Sequence, residues 1–260
     1  MNVRDSDAMA HLLATQGYTP VAEEDQADII IFNTCSVRDQ AERKAFGKIG
    51  LLRRLKAQRP HLIIGVVGCM AQNHGNDLVR QLPHIDFVLG TDQLHQLPDV
   101  LGQKLPQQKS VVDVLRSNDI PGRLHGHETG AVSEFVSVMR GCDQFCSYCI
   151  VPHVRGREKS RAISDIRDEV QQLAAHGTRE ITLLGQNITA YGLSERRSGK
   201  SFACKTTPFA DLLEAVCDIP GSERVRFTSP HPKYLDTDII SALTTLPKVC
   251  NAFHVPLQSG

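Results

Sequence analysis

Cys142, Cys146 and Cys149 follow one another at intervals of Cys-x3-Cys-x2-Cys, just after an apolar run, Phe135 to Met139, that reads as a strand. Three thiolates can hold three irons of a [4Fe-4S] cube and leave the fourth without a protein ligand. An open metal position is where a small molecule can be bound and activated. A cube that only carries electrons ordinarily takes four cysteines, yet the next cysteine in this chain is the distant Cys204. The triplet therefore favours chemistry over electron wiring. A Cys3His zinc site closed by His153 is the competing use of the same residues. Chance burial of three unrelated thiols fits poorly, because Arg140 to Cys149 is polar and turn-like.

Two further cysteines end apolar runs upstream. Asp28-Ile29-Ile30-Ile31-Phe32-Asn33-Thr34 leads to Cys35, and His61-Leu62-Ile63-Ile64-Gly65-Val66-Val67-Gly68 leads to Cys69. Continuous apolar strands of this kind belong to a buried parallel sheet, whose carboxyl ends carry the sites of open α/β folds. Each thiol alone would more often be structural. At equivalent strand ends, facing one crevice, the pair points to a shared metal.

The elements around these residues alternate. A helix over about Asp5 to Gln16 with Gly17 beyond it, a strand before Cys35, a helix over about Asp39 to Ala57, a strand before Cys69 and a strand at Phe87 to Leu89 predict a doubly wound parallel-sheet domain over residues 1–104. Residues 105–133, containing Pro, Gln, Gly and His without sustained period, read as a linker. A second alternation fills 134–260. Ser164 or Asp165 caps a helix with Ile166, Val170 and Leu173 on its face and Gly177 at its end, and Thr207-Pro208 opens another with Leu212, Leu213 and Val216. Strands are expected at Glu180 to Leu184, Val225 to Thr228 and Ala252 to Leu257. Repeated βα units predict a parallel barrel with its site at the carboxyl ends of the strands, and the four strands visible cannot close one. Cys217 falls on an apolar helix face and reads as core; Cys204 and Cys250 have no ligand spacing.

The triplet, with Tyr148 directly before its last cysteine and Ile150-Val151-Pro152 and Arg155-Gly156-Arg157-Glu158-Lys159-Ser160-Arg161 after it, resembles the radical S-adenosylmethionine (SAM) methylthiotransferases. The resemblance implies a truncated partial (β/α)6 barrel of about four of six strands. It also implies that the open iron chelates the amino and carboxylate groups of SAM, that an electron from the cluster yields a 5'-deoxyadenosyl radical, and that Tyr148 lies near the adenine. Asn33-Thr34-Cys35 and Gly68-Cys69-Met70-Ala71 are similar to family elements that ligate an auxiliary [4Fe-4S] cluster. The family's first such cysteine lies in Gly-Cys-Gln-Met-Asn, of which Met1-Asn2 matches only the end. With two [4Fe-4S] clusters implied and one auxiliary cysteine absent, the 260 residues are expected to be a fragment lacking both ends, inactive alone.

Gly185-Gln186-Asn187 stands where the resembling enzymes receive the cofactor's amino group, often with Gly-Gly-Glu instead. Ser229, in Ser229-Pro230-His231-Pro232, and Gln258 occupy the next two strand ends. Gln186, Asn187, Ser229 and Gln258 are therefore candidate cofactor contacts beside Tyr148. Cys35 to Arg38 and Arg140 to Asp143 look most like the branch that converts N6-isopentenyladenosine at tRNA position 37 to its 2-methylthio derivative. Threonylcarbamoyladenosine in tRNA and a ribosomal-protein aspartate are the substrates of the neighbouring branches. A zinc-stabilised nucleic-acid-binding module is the alternative without catalysis.

Charge and composition narrow the setting. With 29 basic and 29 acidic residues there is no global attraction to nucleic acid, so any RNA contact must be local. Arg43, Lys44, Lys48, Arg53, Arg54, Lys56 and Arg59 crowd one helix, where a solvated face is the ordinary explanation. Arg155, Arg157, Lys159 and Arg161 are better placed to clamp a phosphate backbone. No apolar stretch approaches ~18 residues, so neither a signal peptide nor a membrane span is expected. Eight cysteines grouped at strand ends and in one triplet read as metal ligands in a reducing compartment. The expectation is a cytoplasmic monomer whose partners are tRNA and an electron-donor protein.

Overall fold

A computed structural model describes residues 1–116, 126–127, 130–199 and 205–256. The chain forms two compact units, one of Asn2–Gly126 with Phe145–Arg155 and one of Met1, His127–Gln144 and Gly156–Gly260.

In the first unit, strands with the Ile and Val runs that suit a sheet covered on both faces alternate with helices: α1 (Asn2–Ala14), β1 (Ile29–Thr34), α2 (Asp39–Gln58), β2 (Ile63–Gly68), α3 (Cys69–His74), α4 (Asn76–Gln81), β3 (Phe87–Leu89), α5 (Leu97–Asp99) and β4 (Val111–Asp113). The strands pair in parallel in the order β1-β2-β3-β4. Side chains alternate between two cores. Ile29, Ile31, Ile63, Val67, Phe87, Leu89 and Val111 pack with Met9 of α1 and Leu97 of α5. Phe32, Val66, Val88 and Val112 pack with Ile49 of α2, Met70 of α3 and Leu78 of α4. Helices thus cover both sheet faces, as a doubly wound domain requires. Gly65 has a specific reason: a Cβ there would stand 2.0 Å from the Phe87 ring, which lies across β2.

Strand β4 lies within the stretch expected to be a linker. Its two valines are too few to show periodicity, but the free edge of β3 supplies hydrogen-bond partners and both cores accept their side chains.

The second unit holds β5 (Ser133–Ser137), β6 (Met139–Arg140), β7 (Lys159–Ser160), α7 (Ile163–Ala175), β8 (Glu180–Leu184), α8 (Leu193–Arg197), α9 (Pro208–Cys217), β9 (Arg224–Phe227) and α10 (Thr237–Thr245); α6 (Val151–Arg155) falls in the first unit. Strands β5-β8-β9 are parallel, and one core joins Val136, Ile181 and Val225 to Ile166 and Val170 of α7, Phe209, Leu212, Leu213 and Val216 of α9, and Ile239 of α10. Complete burial of such side chains contributes roughly 1.5–3 kcal/mol each before the entropy of ordering them is counted.

Three expectations are corrected. Phe135 to Met139 is not one strand: Phe135 is exposed, and after Val138 the chain turns into β6, which pairs antiparallel with β7 and closes the neck of the cysteine loop. Neither Ser164 nor Asp165 caps α7, which already starts at Ile163. The strand foreseen at Ala252 to Leu257 is absent up to Pro256. Buried Val249 makes the pairing instead, as a single parallel bridge to Val225, while residues 251–254 are exposed and Phe253 reaches the core only by stacking on Phe227 at 5.6 Å between ring centroids. Leu257 itself lies outside the described residues.

Candidate functional site

The register pairs Thr34 with Gly68, so Cys35 and Cys69 are the next residues beyond neighbouring strand ends. Gly68 has φ 91°, and a Cβ there would come within 2.5 Å of the Thr34 carbonyl oxygen. Only glycine lets β2 turn so sharply into α3, whose first residue is buried Cys69. Cys35 is half-buried. The Thr34 hydroxyl donates to the Val67 carbonyl at 2.6 Å and ties the two ends together. The Asn33 amide donates to the Asn2 carbonyl at 2.8 Å and to Ser6 Oγ at 2.9 Å, which anchors α1 over the same end.

Arg155, the last residue of α6, comes to this place. Its guanidinium is buried and donates to the Asp5 carboxylate at 2.9 Å. Burial alone would favour a neutral group, but the Asp5 carboxylate and the Cys69 sulfur outweigh it and hold Arg155 charged. Thr91 Oγ1 donates to the Val154 carbonyl at 2.9 Å and holds α6 in place. Among the described residues, Asn33 Oδ1, Ser36 Oγ and Arg155 Nη1 are buried here without a hydrogen-bond partner. Such atoms are costly inside a sealed core and suit a site that receives a polar or anionic group.

The cysteine triplet lies on the loop from β6 to α6, and the boundary between units falls inside it, after Gln144. On one side, Gly141 has φ 79° and a Cβ there would meet the Arg157 carbonyl oxygen at 2.1 Å, so this neck demands glycine. Buried Cys142 donates its N–H to the Gly156 carbonyl at 3.1 Å. Gly141 N–H donates to Gln186 Oε1 at 2.6 Å. Asp143 and Glu158 clasp each other, Asp143 N–H to Glu158 Oε1 at 3.2 Å and Glu158 N–H to Asp143 Oδ1 at 3.1 Å. The Asn187 amide donates to the same Glu158 oxygen at 3.1 Å, and Asn187 is 1% exposed. Burial pushes the Glu158 carboxyl up, and the bonds from Asp143 and Asn187 offset this only in part.

On the other side, Cys149 N–H donates to the Cys146 carbonyl at 2.9 Å in a tight turn that leaves both cysteines half-buried and Tyr148 74% exposed. Phe145 has φ 48°, one of two described non-glycine residues with positive φ. The other is Ser229, at φ 61° beyond β9. Strained backbone at the carboxyl end of a sheet is where function is commonly found. The Ser229 carbonyl accepts from Ile188 N–H at 3.1 Å, which joins its loop to that of Gln186 and Asn187. The Gln144 amide donates to the Tyr234 hydroxyl at 2.6 Å. Gln258 and Cys204 lie outside the described residues.

The thiols are not gathered into a ligand set: among the described residues no three His, Cys, Asp or Glu side chains stand as a metal site. Thiolates are nonetheless the donors an iron–sulfur group takes, and three of them stand within eight residues of sequence, Cys142 to Cys149. Glu158 went unnoticed as a site residue in the sequence because Arg157 and Lys159 flank it, and such a stretch reads as a cationic surface. Only the fold shows it buried.

The basic stretches behave differently from a phosphate clamp. Arg155 pairs with Asp5, Arg157 with Asp143, and Arg161 with Glu169. On α2, Arg43 pairs with Asp39, Lys48 with Glu24 and Lys56 with Asp86, and Arg59 just beyond it pairs with Asp28. Most of these cations thus serve the fold. Cys217 is core, its thiol pushed up to about 11 by burial.

Residues 1–90 match the uncharacterized protein family UPF0004, and residues 136–260 match the radical SAM superfamily. The whole chain aligns with proteins named tRNA-2-methylthio-N(6)-dimethylallyladenosine synthase. Identity is 42% over 291 residues for that of Opitutus terrae, 44% over 262 for that of Syntrophus aciditrophicus and 45% over 265 for that of Caldicellulosiruptor saccharolyticus. The chain spans 60%, 55% and 54% of the length of these three relatives. In fold it is similar to the radical SAM methyltransferase TsrM from Kitasatospora setae, solved with cobalamin and a [4Fe-4S] cluster bound. The TM-score is 0.61 at 14% identity, covering 97% of this chain and 55% of that one. Among the described residues no helix is long and apolar enough to cross a membrane. The chain thus carries a UPF0004 domain at residues 1–90 ahead of a radical SAM domain at residues 136–260.

Proposed function

We propose that these residues belong to a methylthiotransferase that converts N6-isopentenyladenosine at tRNA position 37 to its 2-methylthio derivative. The observation that carries this is the pairing of two cysteine sites in one chain, a pinned triplet loop in a radical SAM domain and Cys35 with Cys69 at adjacent strand ends. The names of the relatives supply the substrate.

Cys142, Cys146 and Cys149 would hold one [4Fe-4S] cluster; Cys35 and Cys69 would contribute to a second. When bound, the clusters and SAM supply the electron, the radical and the sulfur that side-chain acid–base groups lack for an unactivated aromatic C–H bond. The protein's own task is placement. Gly141, Asp143 and Glu158 fix the entry of the triplet loop, and Gln186, Asn187 and Ser229 present polar groups at the strand ends beside it. Tyr148, 74% exposed on the turn, would stack on a purine. Arg155 and Ser36 offer donors at the Cys69 end, where an anionic group would be retained. Partners of this reaction are tRNA and an electron-donor protein, in a cytoplasmic setting with the protein a monomer.

A full-length version that contains these residues, expressed in cells lacking their own methylthiolating enzyme, should restore 2-methylthio-N6-isopentenyladenosine to digested tRNA, read by mass spectrometry, whereas the 260 residues alone should not. Joint replacement of Cys142, Cys146 and Cys149 by alanine should abolish it. The modification appearing on threonylcarbamoyladenosine or on a ribosomal protein would move the chain to a neighbouring branch. Zinc in place of iron and acid-labile sulfide in anaerobically prepared protein would remove the catalytic proposal altogether.

A further inference from the structure

Glu158 is 7% exposed, yet among the described residues no lysine or arginine lies within ion-pair distance of its carboxylate. Its hydrogen bonds come from neutral amides, the Asp143 N–H and the Asn187 side chain, and Arg197 acts on it only from further away. Among the described residues every other acid buried to this degree has a basic partner: Asp5 has Arg155, Glu169 has Arg161 and His127, and Glu134 has His127. A buried carboxylate without a cation is costly, and such groups persist where a ligand supplies the charge. The location is also that of a ligand. Glu158 stands between the entry of the cysteine loop at Asp143 and the turn after β8 at Asn187, so it faces the carboxyl end of the parallel sheet.

We propose that Glu158 is the counter-ion for a cationic ligand group, the ammonium of the amino-acid end of SAM. The assignment rests on the radical SAM reading and adds a residue to it. An ammonium offers three donors, and Glu158 Oε1 already takes two amide hydrogen bonds that hold the carboxylate in one orientation. Asn187 and Asp143 thereby position Glu158, and Glu158 contacts the ligand. Neighbouring Gln186 does not compete for this role, because its side-chain oxygen is engaged by the Gly141 N–H.

The test is equilibrium binding to anaerobically reconstituted holoprotein, wild type against Glu158→Gln. Glutamine keeps the shape and the oxygen that accepts from Asp143 and Asn187 and removes only the charge. Three probes separate the parts of the ligand: SAM, S-adenosylhomocysteine, which keeps the ammonium without the sulfonium, and 5'-methylthioadenosine, which has neither. The variant should bind SAM and S-adenosylhomocysteine at least about tenfold more weakly and 5'-methylthioadenosine unchanged, as expected for one lost charge-assisted contact. Equal loss for all three probes, or loss of iron from the variant, would make Glu158 a structural clasp of the loop and overturn the assignment. Unchanged affinity for SAM in an iron-replete variant would overturn it alone. A wild-type holoprotein that fails to bind SAM would overturn the radical SAM reading and this assignment together.

Discussion

Arg155 shows how much one side chain can carry. It closes α6, it is buried, and its charge is balanced by Asp5 on α1 at 2.9 Å. Breaking a buried pair from one side leaves an uncompensated charge, which costs more than the pair itself contributes. Asp5→Ala should therefore destabilise the unit by about 3 kcal/mol in denaturant titration, whereas Asp77→Ala, which breaks the exposed pair with Arg80, should cost under ~0.5 kcal/mol. Equal effects would show that burial does not set the energy of the Arg155 pair. The same contrast explains why the run from Arg155 to Arg161 looked like a phosphate clamp in sequence: charge is visible there, and the partner that neutralises it is not.

At the scale of elements, α7 is fastened to β5 by polar contacts through His127 as well as by its apolar face. His127 Nδ1 meets Glu134 at 3.0 Å, His127 Nε2 meets Glu169 at 2.7 Å, and Arg161 meets Glu169 at 2.6 Å. Burial alone would push the Glu169 carboxyl up, but the His127 hydrogen bond and the Arg161 charge outweigh it and hold the group at about 2. A carboxyl lowered on folding contributes stability that is complete above its unfolded value of 4.5 and is lost as pH falls towards 2. Glu169→Gln should therefore cost on the order of 2 kcal/mol at neutral pH, with the difference from wild type narrowing between about pH 4.5 and 2. Parallel stability curves for the two proteins in that window would contradict the assignment.

For the molecule as a whole, the two cysteine sites predict a stoichiometry. Cys35 and Cys69 sit at strand ends of the UPF0004 domain, and Cys142, Cys146 and Cys149 on the loop at the start of the radical SAM domain. In a full-length version that contains these residues and the remaining auxiliary cysteine, replacing Cys35 and Cys69 together by alanine should lower the iron of reconstituted protein from about eight to about four atoms per chain. SAM-dependent formation of 5'-deoxyadenosine should continue. Replacing the triplet should remove the same amount of iron and all of that product. Unchanged iron after loss of Cys35 and Cys69 would make them structural thiols.

What could be read from the sequence was local. The triplet, the Asn33-Thr34-Cys35 and Gly68-Cys69 strand ends, and the helices at Asp39 and Pro208 are defined by spacings shorter than about 20 residues, over which periodicity and turn chemistry act directly. Strand β4 and the β6–β7 neck escaped because two or three residues have no period; each exists only because a distant edge or strand accepts its hydrogen bonds. Gln186 and Asn187 were legible as polar groups at a strand end. Their engagement with Gly141 and Glu158, 45 and 29 residues away, was not. Tertiary structure decided which charges are neutralised. Arg155 and Arg161 differ from an exposed cation only by Asp5, 150 residues distant, and by Glu169 on α7, and Glu158 has no such partner among the described residues. Charge is a property of a residue type, whereas burial and pairing are properties of the fold.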